Sequence, residues 1–122
     1  MTGPRDGRVI TFYSYKGGTG RTMALANTAW ILAANGKRVL AVDWDLEAPG
    51  LHRFFHPFLD PKALSATPGV INIIQAYAWA ATTGTQRPDD WHLSYAQVEQ
   101  HAVSIRPERF DLHFPEGGSL DF

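Results

Sequence analysis

The spacing of apolar positions divides the chain into short segments of distinct period. Val9-Ile10-Thr11-Phe12-Tyr13 is β-branched and aromatic, and predicts a buried strand over Val9–Ser14. Leu25, Ala26, Ala29, Trp30 and Ala33 then recur at helical spacing, which predicts a helix over Thr22–Asn35 with Gly36 at its C-terminal cap. Lys37 and Arg38 follow, where positive charge favours the negative helix end. Arg38–Val42 is predicted as a second strand, its near-continuous apolar run suiting a parallel sheet covered on both faces. Strand, helix, strand in this order predicts a right-handed βαβ unit.

Beyond Asp45 the pattern loosens. Glu47-Ala48-Pro49-Gly50 predicts a turn, Leu51–His56 a short helix stopped by Pro57, and Asp60–Gly69 a loop. Gly69–Thr82 predicts an amphipathic helix with Val70, Ile73, Ile74, Tyr77 and Ala81 on one face. Thr83–Asp90 reads as a polar loop and Tyr95–Val103 as a less periodic helix. Glu116–Phe122 reads as a turn running into a strand of a few residues.

Bulk properties narrow the partners rather than the fold. A chain of 122 residues with 44% hydrophobic content suits one soluble globular domain. The net charge of −1 gives no nucleic-acid or membrane-surface signal. With no cysteine, disulfides, thiolate catalysis and Cys-type zinc sites are excluded. The polar N-terminus lacks a signal region, and the longest apolar stretch, Val70–Ala81, is too short to span a bilayer, so a cytoplasmic location is expected.

The candidate chemistry sits between the first predicted strand and the first helix, in Ser14-Tyr15-Lys16-Gly17-Gly18-Thr19-Gly20-Arg21-Thr22. Three glycines remove Cβ atoms, so successive N–H groups can curl around an anion. The helix that follows turns its positive end toward the same place. Lys16 and Arg21 add two cations, and the Thr22 hydroxyl suits Mg²⁺. These features point to a site for a nucleoside triphosphate. His52 and His56 are four apart, but without an intervening glutamate or any cysteine they read as ordinary histidines. The aromatic set Trp30, Trp44, Phe54, Phe55, Tyr77 and Trp79 reads as packing, with Phe54-Phe55 a candidate partner contact.

The general pattern G-x-x-x-x-G-K-[ST] fits poorly, since its first glycine would fall at Tyr15 and its lysine at Arg21. The variant K-G-G-x-G-[KR]-[ST] fits throughout Lys16–Thr22. On this motif, the helix after it and the strand ending at Asp43-Trp44-Asp45, the chain resembles the MinD/ParA/CobQ-like family of ATPases with a deviant Walker A loop. The resemblance implies an α/β fold, a P-loop NTPase-type parallel sheet with flanking helices. It implies ATP and Mg²⁺ as cofactors. Lys16, Gly17, Gly18, Thr19, Gly20, Arg21, Thr22 and Met23 would bind the nucleotide, and Thr22 and Asp43 would approach the metal. Lys16 would reach the phosphates of a second subunit in a nucleotide-sandwich homodimer. Asp45 would activate the attacking water. The family usually continues Asp-Pro-Gln, whereas Leu46-Glu47 follows here, so Glu47 is a second candidate carboxylate.

The family's sheet is larger and carries a second acidic strand end downstream. Residues 9–122 are therefore expected to be the N-terminal portion of a P-loop nucleotide-binding domain, truncated at its C-terminus, with residues 1–8 a flexible lead. The segment alone would then be marginally stable and inactive. The full-length protein is expected to hydrolyse ATP as a dimerisation and partner-binding switch. A nonhydrolysing nucleotide sensor and a bacterial P-loop tyrosine kinase are the alternatives.

Overall fold

Arg21–Ala34 forms helix α1, the element around which the rest is arranged in this computed structural model. The structure describes residues 6–17, 20–47, 49–84, 88–110 and 112–122. Helix α1 follows the predicted periodicity, and its Ala26, Ala29 and Ala33 face is buried. The helix ends as the sequence implies. The Gly36 N–H donates to the Ala33 carbonyl and the Lys37 N–H to the Leu32 carbonyl, both at 3.0 Å. With Gly36 at φ 78°, this is the Schellman closure, in which only glycine meets the left-handed position without steric cost.

The reversal delivers the chain into strand β1, Arg38–Leu40, which pairs in parallel with β2, Ser119–Asp121. Val39 stands opposite Leu120, and the Ala41 N–H extends the ladder to the Asp121 carbonyl at 2.8 Å. The other edge of β2 is taken by residues 103–105. Val103 exchanges both backbone bonds with Phe122, and the Ile105 N–H donates to the Leu120 carbonyl at 2.9 Å. A short β2 is thus enclosed on both sides, and Leu120 is fully buried beneath α1.

Helix α2, Leu51–Phe54, runs into a 3-10 turn over His56–Phe58, and these bring Leu51, Phe55 and Leu59 into the core. Burying each such side chain contributes about 1.5–3 kcal/mol. A layer of rings closes the side of the core: Trp30 lies 4.9 Å from Phe58 and 5.0 Å from Phe114, and Phe58 lies 5.3 Å from Phe110. Phe55 is a core residue, in line with its reading as packing and not with the candidate partner contact; Phe54 remains exposed.

Several expectations need correction. The Val9–Ser14 segment is not a strand, and Val9 and Tyr13 are exposed. Both edges of β2 are taken, by β1 and by residues 103–105, and Val9–Ser14 does not add to the outer edge of β1 either, so the first limb of the βαβ unit is not formed. The second strand stops at Leu40, and with Arg38 and Leu40 exposed it is not covered on both faces. Asp60–Gly69 is not a loop throughout, since Pro61–Ala66 is helix α3. The Asp60 carboxylate accepts from the Lys62 N–H at 2.9 Å, and Pro61 supplies a pre-set first turn. Helix α4, Val70–Thr82, forms as predicted, yet none of its residues is fully buried. It packs on residues 91–96, where the Tyr77 and Trp91 rings stack at 5.3 Å. The Tyr95–Val103 helix is replaced by 3-10 turns over Trp91–Ala96 and Val98–His101, after which Val103 turns extended to pair with Phe122. The architecture is mixed α/β with a small parallel two-stranded sheet. Among the described residues no helix is long and apolar enough to cross a membrane.

Candidate functional site

The glycine loop is carried by the N-terminus of α1. Gly20 takes φ 78° immediately before Arg21, and the helical ladder starts with the Ala24 N–H on the Gly20 carbonyl at 2.9 Å. No side chain caps this end and the first turn holds no acidic residue. The N–H groups of Arg21, Thr22 and Met23 therefore lie at a helix end that no side chain caps, with the positive end of the helix dipole behind them. Lys16, Gly17 and Met23 are exposed, and Thr22 is half-buried in the first turn. Gly18 and Thr19 lie outside the described residues.

Arg21 does not simply project into solvent. Its Nη1 donates to the Ser14 carbonyl at 3.2 Å and to Ser14 Oγ at 2.9 Å. Ser14 Oγ in turn donates to the Lys16 carbonyl at 3.0 Å. In the sequence, Ser14 is marked only by a hydroxyl at the junction where the apolar run gives way to the loop.

Asp43 and Asp45 follow β1 rather than ending it, so strand alternation does not set their directions. Asp43 Oδ1 accepts from the Asp45 N–H at 3.2 Å, an Asx turn that redirects the chain. Its Oδ2 accepts from the N–H groups of Gly50 and Leu51, at 3.0 and 3.1 Å. One carboxylate thereby pins the turn before α2 and seats the buried Leu51. Asp43→Ala is expected to cost about 2 kcal/mol by stranding these half-buried donors. Denaturant unfolding of the variant checks this, and an unchanged midpoint would deny Asp43 its structural role. Asp45 is half-buried, and Glu47 is exposed.

A Mg²⁺ ion is compatible with this donor set. It favours hard oxygen ligands and is commonly held by one or two protein groups together with phosphates and water. The Thr22 hydroxyl stands on the first helical turn, and three accepted hydrogen bonds leave the Asp43 carboxylate with lone-pair capacity to spare. His52 and His56 do not share a helix face, because α2 ends at Phe54.

Residues 7–49 match the profile of a family described as an AAA domain, a ParA/MinD-like P-loop ATPase family. Over 44 residues the chain is 48% identical to an uncharacterized ATP-binding protein of Methanocaldococcus jannaschii. That alignment covers 36% of this chain and 17% of the relative, so the chain spans well under two thirds of the relative's length. No solved structure matches the chain. The matched segment takes in the glycine loop, α1, β1 and both aspartates, and over it the chain is similar to ParA/MinD-like P-loop ATPases.

Proposed function

We propose that the chain binds ATP with Mg²⁺ at Lys16–Met23 and that Asp45 supports its hydrolysis, the nucleotide state switching a homodimer and its partner contacts. The observation that carries this reading is the uncapped N-terminus of α1, opened by left-handed Gly20 and bordered by Lys16 and Arg21. Backbone N–H groups and a helix dipole favour an anion there, and two cations match a polyphosphate better than a single carboxylate. Thr22 and Asp43 would hold Mg²⁺, which when bound neutralises charge on the phosphates. Exposed Lys16 is suited to reaching the phosphates of a second copy. The ATP-binding relative supports adenine nucleotide as the ligand.

The chain's own groups then have distinct tasks. Loop amides and Arg21 bind and orient the phosphates. Asp45, held by the Asx turn on Asp43, accepts a proton from the attacking water as the water oxygen bonds to the γ-phosphorus and the bond from that phosphorus to the β–γ bridging oxygen breaks, ADP leaving with that oxygen.

Calorimetric titration with Mg-ATP tests the site. Arg21→Ala and Thr22→Ala are each expected to weaken binding about tenfold, the scale of a charge-assisted hydrogen bond or a lost ligand. Lys16→Ala is expected to weaken dimerisation in ATP more than it weakens binding to the monomer. Parent-like affinity in Arg21→Ala would remove that residue from the phosphate site.

A further inference from the structure

We propose that Ser14 is a positioning residue for Arg21, the pair forming a clamp that aims the remaining guanidinium edge at the nucleotide phosphates. This rests on the nucleotide reading above. The Arg21 Nη1 group spends its contacts on the carbonyl and hydroxyl of Ser14, at 3.2 and 2.9 Å. A guanidinium carries five N–H donors in a rigid planar fork, so Nε and Nη2 stay available on another edge of the same plane. Arg21 thereby ties the start of the glycine segment to the start of α1 and still offers donors to an anion.

A lysine at this position would not do both. Its ammonium has three donors on a rotating tip, and two bonds to Ser14 would leave one donor with no fixed direction. The arginine and the serine therefore belong together: the clamp turns a long flexible cation into an oriented one before ligand arrives. Ser14 Oγ relays the arrangement onward by donating to the Lys16 carbonyl at 3.0 Å. The backbone of the other loop cation is thus held by the same short chain of bonds, in which each member polarises the next.

The test is a double-mutant cycle on the full chain, read by Mg-ATP titration of the parent, Ser14→Ala, Arg21→Lys and the double variant. Ser14→Ala is expected to weaken binding about fivefold with Arg21 present, near the net worth of one hydrogen bond. It is expected to change little once Arg21→Lys is in place, and Ser14→Thr, which keeps the hydroxyl, is expected to restore affinity. Equal losses in both backgrounds, or no loss in either, would overturn the clamp. A nucleotide-free measurement separates the two ideas: the Arg21 guanidinium protons should exchange with water more slowly in the parent than in Ser14→Ala. Absence of that difference overturns the clamp whatever the titrations give. Slow exchange in a parent that binds no ATP would instead overturn the nucleotide reading, and the aiming role with it.

Discussion

Asp45→Ala is expected to lower ATP turnover by about 10²-fold or more while ATP still binds, the scale of losing a positioned general base. The backbone at this position is not free to wander. The Asp45 N–H donates to Asp43 Oδ1, and Asp43 is itself anchored to Gly50 and Leu51, so the Asp45 main chain is referenced to the buried core. Those bonds use the Asp45 main-chain N–H and not its carboxylate, so the turn on Asp43 outlasts the substitution while the chemical step suffers. Steady-state phosphate release and Mg-ATP titration on the same preparation separate the two effects. Unchanged turnover in Asp45→Ala, with turnover abolished in Glu47→Ala, would transfer the role to Glu47.

Gly118→Ala is expected to destabilise the chain by about 3 kcal/mol or more, at or above the upper end of ordinary overpacking. A Cβ there would run into the Ala33 carbonyl oxygen, and would also sit 3.1 Å from the Pro115 carbonyl oxygen and 3.2 Å from the Phe114 Cβ. Two of these three obstacles are backbone oxygens, which no rotamer change can remove. Relief would require α1 and the turn before β2 to separate, and the Ala26, Ala29 and Ala33 face would lose its contact with Leu120. Gly84→Ala is the control, because a Cβ at that position meets nothing within 4 Å. Thermal unfolding of both variants checks the argument. Equal melting temperatures would mean that the helix and the turn are not as tightly apposed as the structure has them.

How far the sequence could be read depended on how local each decision was. Helix α1 and its closure were legible because alanine spacing and Gly36 act within one or two turns. The final turn and β2 were legible for the same reason, with Gly117 at φ 84° preceding the extended Ser119–Asp121. Strand pairing was not legible. Val9–Tyr13 has the stronger β composition, yet residues 103–105 hold the free edge of β2, and only the assembled core decides between them. Helix α3 carries its signal in Asp60-Pro61, a side-chain cap followed by a pre-set first turn, but its six residues are too few for apolar periodicity to show. In the site, the glycine loop and its cations were plain from spacing alone. The Ser14–Arg21 bonds and the use of Asp43 as a cap were not, since both depend on where the chain returns several residues later.

The parallel pairing of β1 with β2 sets a waiting time during synthesis. Leu40 precedes Ser119 by about 79 residues, and at 5–20 residues per second a ribosome needs roughly 4–16 s to supply the partner. Helix α1 can form in about a microsecond and α2 follows it closely, so what stays uncovered for the whole of that interval is Val39 and the part of the alanine face that Leu120 covers. Nascent chains of this protein should therefore engage a holdase over residues 21–42 and release it only after β2 has cleared the exit tunnel.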